Sequence, residues 1–294
     1  MKQTFTKAIF ASAILGLAFT SCNSDRNIET ATEETVSSAA LEQPGEVEAT
    51  CAYVDGNWSN NAVLKTGLTN SSDTNFMNSQ MTKIARLFGR SNPLLRFVSD
   101  SYNQNTTYNA ISYSSGKIYY GYAIYYDAKS KGGDIVNAMI LAHEYGHQLQ
   151  YIYNLPSVTE YTARPNELEA DGFAGYYLRR PAGYNQSSFA AIASAYNFAS
   201  SIGDYNTNSQ GHHGTPNQRR SAVRLGFLLG EWNLSASDFD YNFFYYYNGV
   251  LNGSYKMAKN DKFPEIDAKM KNHLEELRQI QTGEISAEEF NNLK

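Results

Sequence analysis

The sequence predicts an α+β chain: a small, mostly antiparallel sheet packed on one long helix, then a largely helical C-terminal half. Three observations point there. Ala110 to Tyr113 and Lys117 to Tyr126, rich in Tyr and Ile around Ser115-Gly116, have the composition of a β-hairpin. From Asp134 to Tyr153, Ile135, Met139, Ala142, Gly146, Leu149 and Tyr153 recur at helical spacing. Beyond Pro156, successive segments carry helix start and stop signals.

Taken in order, Met1 to Ser21 reads as an export signal, with Lys2 and Lys7 flanking the start of the apolar run Ala8 to Ala18. That run is too short to favour a membrane span. Phe19-Thr20-Ser21-Cys22 resembles a bacterial lipobox, in which Cys22 carries lipid. Phe19 stands where Leu is usual, so plain signal-peptidase cleavage is the alternative. The expected location is the bacterial cell envelope, at the outer membrane or cell surface, with membrane contact only through lipid on Cys22. Residues 22–50 are polar and acidic, with too few large apolar side chains for a core, and read as a tether. Cys51 to Lys294 fits one domain with a helical C-terminal extension. If Cys22 is lipidated, Cys51 is single; otherwise a Cys22–Cys51 bridge would clip only the tether. The net charge of -5, with no dense Lys/Arg patch outside the tail, argues against a nucleic-acid partner. Most of the 23 tyrosines are expected on half-buried faces.

Within the domain, Thr74 to Phe88 reads as a helix stopped by Gly89. Asn92-Pro93 marks a turn, and Leu94 to Val98 is a short apolar strand or helix. The hairpin follows, then Lys129 to Gly133 as a polar loop, with Asp134 as N-cap of the long helix. Pro165 suits a first helical position for a helix ending near Arg180. Gln186 to Ser201 is Ala-rich and helical. Thr215-Pro216 opens a helix to Leu229, before Gly230. Asp238 to Tyr247 and Glu265 to Gln281 complete the helices, and Ser286 to Lys294 adds a short turn.

His143-Glu144-Tyr145-Gly146-His147 lies on the long helix. Imidazoles four residues apart share one face, with Cβ atoms about 5–6 Å apart, so two nitrogens can converge on one metal. Two His and one carboxylate leave a fourth position of tetrahedral Zn²⁺ open for water, and Glu144 is placed to act as base. The third ligand comes from Glu167-Leu168-Glu169-Ala170-Asp171. Glu167 and Glu169 lie about 200° apart on a helix, so both cannot face the metal. Glu167 is assigned as ligand, because Asp171 then lies one turn along the same face and can accept the other ring N–H of His143. That leaves Glu169 exposed. His143 and His147 flank the buried face and should sit at a cleft edge.

These residues resemble the gluzincin metallopeptidases, and most closely the bacterial neutral zinc metallopeptidase family. Its pattern HExGHxxQ, ELxADxxAG, then HG-[ST]-xx-QR is similar to His143–Gln150, Glu167–Gly175 and His213-Gly214-Thr215-Pro216-Asn217-Gln218-Arg219, over roughly Asn109 to Phe227. Gly172 departs from it, standing where that family often has Cys. The resemblance implies a zincin-like fold, zinc on His143, His147 and Glu167, Glu144 as general base, and a protein or peptide substrate. Ile118 to Tyr125 is the expected sheet edge for that peptide. His213 is the candidate oxyanion donor, although Thr215-Pro216 explains its segment as a helix cap without it. Arg219 and Arg220 could pair with Asp171 or Glu169, but are expected at the surface, as is His273. Two other functions are compatible with the sequence: a non-catalytic zinc-binding envelope lipoprotein, and a zinc amidase acting on cell-wall peptides.

Overall fold

The computed structural model describes residues 57–255 and 260–285, with 289 and 292. The export signal, the tether, Cys22, Cys51 and most of the final turn lie outside the described residues. The described part is α+β with a small mixed sheet.

The sheet contains β1 (Ala62–Lys65), β2 (Leu94–Asp100), β3 (Ala110–Tyr113) and β4 (Lys117–Gly121), in the order β1-β2-β4-β3. β1 pairs antiparallel with β2, β2 parallel with β4, and β3 antiparallel with β4. The 94–98 segment is thus a strand; its parallel pairing with β4 makes the sheet mixed, while the other two pairings are antiparallel, as expected. β1 carried no sequence expectation; four residues are too few for alternation to stand out. Side chains alternate across β2. Leu95 and Phe97 enter the main core, while Val98 joins Trp58, Ala62 and Tyr119 on the other face.

β4 ends five residues earlier than its Tyr and Ile content suggests. Its last residue, Gly121, caps α2 (Tyr122–Gly132), which takes in most of the expected polar loop. A Cβ at Gly121 would lie 1.7 Å from the Thr107 carbonyl oxygen, so only glycine lets the chain turn there. The helical signal was present in Ile124 and Ala128, four apart and both buried. β4 is also an internal strand. The sheet edges are β1 and β3, not 118–125.

Beside the sheet, α1 (Ser71–Leu87) and α2 pack on the long helix α3 (Asp134–Tyr153). Gly133, at φ 77°, takes the cap position expected of Asp134, which instead sits in the first turn, where a carboxylate favours the helix dipole. α3 is buried all round from Val136 to Gln150, so an apolar stripe describes it poorly. Ile135 is only half-buried and Tyr153 is exposed. Asn137, inside this helix, accepts from the Tyr120 hydroxyl at 2.8 Å and donates to the Tyr125 carbonyl at 3.1 Å, which satisfies a buried amide.

The helical half comprises α4 (Arg164–Arg179), α5 (Ala193–Ser201), α6 (Pro216–Leu229), α7 (Ala236–Tyr245), α8 (Tyr247–Asn252), α9 (Pro264–Met270) and α10 (Leu274–Thr282). Two expected helices are each split, at Tyr246 and around residues 271–273, and the Ala-rich one begins later than residue 186. The C-terminal helices belong to the same core: fully buried Arg224 of α6 forms a two-pronged pair with Glu276 of α10, at 2.5 and 3.1 Å. His273 is half-buried and lies 3.6 Å from the same carboxylate, so it is not the free surface residue expected.

Close helix crossings place the site. A Cβ on Gly146 would lie 3.0 Å from Ala170 Cα, so glycine lets α3 approach α4. A Cβ on Gly226 of α6 would lie 1.9 Å from the Gly172 carbonyl oxygen of α4, and a Cβ on Gly172 would meet the Phe243 and Phe239 rings. The departure at Gly172 therefore has a packing reason. Gly226→Val is expected to destabilise the protein by at least about 1–3 kcal/mol, read as a lower urea midpoint, because two backbones must separate to admit it. An unchanged midpoint would contradict that packing.

Candidate metal centre

α3 carries His143 and His147 one turn apart, their rings 4.9 Å apart at 89°. α4 brings Glu167 across Gly146 to face both. Glu167 Oε2 lies 3.5 Å from His143 Nε2, and Oε1 lies 3.5 Å from His147 Nε2. One donor atom from each of the three residues lies within 4.8 Å of the others, and all three are buried. Burial replaces the expected cleft-edge position.

The separations fit a metal ion. Tetrahedral ligands at roughly 2.1 Å from zinc have edges of about 3.4 Å, close to the two 3.5 Å distances. The other nitrogen of each ring is already engaged: His143 Nδ1 with Asp171 Oδ1 at 2.9 Å, His147 Nδ1 with Gln150 Oε1 at 2.8 Å. That leaves each Nε2, 3.5 Å from a Glu167 oxygen, as the nitrogen that would face a metal. The geometry supports a metal; borderline nitrogen and oxygen donors suit zinc without singling it out.

Charges around the centre are buried and mutually compensating. Burial opposes a charge on His143, but Asp171 and Glu167 outweigh it and push the ring up to about 10. Burial would raise Glu167, yet His143, His147 and His213 hold its carboxyl well below the usual carboxylate range. Burial pushes Glu144 up, opposed by His147 and His143. The site thus holds a proton where a cation would sit, and a metal must displace it. Apparent zinc affinity is therefore expected to rise with pH, by about tenfold per unit, until it levels near 10. Because the folded value lies above the unfolded one, stability from this proton is complete below 6.5 and lost as pH climbs through about 10. Zinc titration against a competing chelator across that window checks this; a flat affinity would contradict it.

Two expectations about neighbours are corrected. Arg219 is not at the surface: it is 2% exposed, donates to Asp171 Oδ1 at 2.8 Å, and lies 3.9 Å from Glu167. Its neighbour Arg220 is half-buried and donates to Asn197 at 3.3 Å. Glu169 is not exposed but wholly buried. It points away from the metal face, as the 200° argument requires, but toward protein. Its Oε2 accepts from Gln150 at 2.9 Å, and burial together with nearby Asp240 keeps the carboxyl far above its usual range. Burial on that side comes from α7, whose approach no local pattern announces.

The expected cap is formed. Thr215 and Gln218 make a capping box at the start of α6. His213, just before it, is half-buried and is among the groups that hold the Glu167 carboxyl down. Asp204 is the residue the sequence reading missed. Its Oδ2 accepts from the His213 backbone N–H at 2.9 Å and lies 3.3 Å from His213 Nδ1, while Oδ1 lies 2.6 Å from His212 Nδ1. Burial would raise this carboxyl, but those bonds hold it at about 2. Only the proximity of an acidic residue to a His pair could have flagged it. Compared with known proteins, the chain matches no family model, no curated protein and no solved structure.

Proposed function

We propose that the chain is an exported, zinc-dependent metallopeptidase of zincin-like architecture, hydrolysing peptide bonds with Glu144 as general base. The observation that carries this reading is the convergence of His143, His147 and Glu167 beside a buried carboxylate that is not itself part of the donor set. A purely structural metal site has no use for such a group. The motif resemblance supports the same class.

Zinc on these three side chains would supply Lewis acidity, polarising a carbonyl and acidifying water. The Glu144 carboxylate takes the proton of the attacking water and returns it to the leaving amine nitrogen; burial lifts its basicity for that task. An extended peptide would add to the edge strand β3. Asn109 accepts from the Gly121 N–H at 2.9 Å, so by antiparallel alternation residues 110 and 112 turn their backbone groups outward. His213, with Nδ1 toward Asp204, would offer Nε2–H to the developing oxyanion when cationic. His213→Phe is expected to lower kcat about 10²–10³-fold with KM little changed. Steady-state kinetics on a cleaved peptide checks this, and an unaltered kcat would reduce His213 to a loop residue.

Location rests on the N-terminal sequence. Among the described residues no helix is long and apolar enough to cross a membrane. The deciding experiment measures metal content and profiles cleavage by mass spectrometry, using peptide libraries and cell-wall material, with wild type and Glu144→Gln. Cell-wall cleavage alone would make the protein an amidase. Protein that takes up no zinc would overturn the reading.

A further inference from the structure

The geometry points to Gln150 and Glu169 as positioning residues that fix the tautomer of His147. This rests on the metal-centre reading above, but not on the reaction catalysed there. A neutral imidazole has one N–H and one lone pair, and the partner of one nitrogen decides which the other presents. For His143 that partner is Asp171, which can only accept when ionised. For His147 it is Gln150, whose amide could in principle turn and offer either oxygen or NH₂.

The surroundings forbid the turn. Gln150 Nε2 donates to the Asn166 carbonyl oxygen at 2.8 Å and to Glu169 Oε2 at 2.9 Å. Turned over, the amide would set its oxygen against two oxygens in a buried pocket, where unpaired polar atoms are costly. Its NH₂ would meet His147 Nδ1 and drive the ring proton onto Nε2, the atom facing Glu167 at 3.5 Å. Gln150 is 3% exposed and Glu169 wholly buried, so water does not relieve the clash. The Asn166 carbonyl oxygen can only accept, and so can Oε2 when the carboxyl is ionised. Glu169 also lies beside Asp240. Asp240, anchored by the Ser157 backbone N–H at 2.8 Å, braces that carboxyl from α7. The chain from α7 to the metal thus reads Asp240, Glu169, Gln150, His147.

The test is ¹⁵N NMR of histidine-labelled, metal-free protein at alkaline pH, with zinc affinity measured by chelator competition. In the wild type, His147 is expected to carry its proton on Nδ1. Gln150→Leu should raise the Nε2–H population and weaken zinc binding about 10–100-fold, whereas Gln150→Glu keeps an acceptor toward His147 and should retain Nδ1–H. Gln150→Glu combined with Glu169→Gln reverses donor and acceptor between those two residues while keeping an acceptor toward His147, and should likewise retain Nδ1–H. His143, held separately by Asp171, should keep its Nδ1–H on that carboxylate throughout and reports a folded site. A wild-type His147 protonated on Nε2 overturns the inference without any variant. So does an unchanged tautomer and zinc affinity in Gln150→Leu. If no peptide is hydrolysed but the tautomer pattern holds, the peptidase reading fails and the positioning role stands.

Discussion

Glu144→Gln is expected to leave zinc content unchanged and to lower peptide hydrolysis about 10²–10⁴-fold. The substitution keeps shape and burial while removing the only property the mechanism needs, a lone pair basic enough to take a proton. Glu144 follows His143 directly, so its side chain lies about 100° round α3 from that ligand, beside the metal rather than on it. It is 7% exposed, and burial makes it a better base than a solvated carboxylate. Its charge is felt by both histidines, so a small rise or fall in zinc affinity is compatible with the prediction. Loss of zinc from the variant would make Glu144 a structural carboxylate instead. Full turnover by the variant would remove it from the chemistry. A wild type that holds stoichiometric zinc and cleaves neither peptides nor cell wall would be a non-catalytic zinc protein.

Much of this site was legible because its parts are local. The His143/His147 pair and the Glu167/Asp171 pair are each one helical turn apart, and helical geometry alone predicts which atoms share a face. His143 Nδ1 meets Asp171 as that geometry requires. What failed was everything set by packing between distant segments. Arg219 is expected at the surface from its charge, and Glu169 because it lies away from the metal face. Their burial depends on α7 and on the glycine-mediated crossing of α4 with α6, and neither shows in a local pattern. The Tyr-rich stretch after Lys117 misled for a different reason. Tyrosine favours strands, but Gly121 must turn under the Thr107 carbonyl, and that contact comes from outside the segment. Asp204 escaped notice because a single carboxylate in a polar loop carries no periodicity.

Removing the buried cation, as in Arg219→Met, is expected to destabilise the metal-free protein by about 3–5 kcal/mol. Asp171 is 1% exposed, and its Oδ1 serves both His143 Nδ1 and Arg219 Nη2, at 2.9 and 2.8 Å. Without Arg219 that carboxylate keeps one partner, and its Oδ2 already has none. Glu167 also loses the guanidinium at 3.9 Å. Two buried negative charges would then face a single proton on His143. Zinc changes the balance, because a divalent cation replaces that proton and offsets part of the missing charge. The variant should therefore melt far below wild type when metal-free and recover a larger share of its Tm when zinc is added. Arg219→Lys, which keeps the charge but not the fork, should fall between the two. Calorimetry with and without zinc separates the possibilities. An equal loss in both states would mean that Arg219 acts through packing alone, and no loss would return it to the surface role its charge suggests. A loss concentrated in the metal-free state means that α6 supplies the counter-charge that lets α3 and α4 hold an anionic site together before any metal arrives.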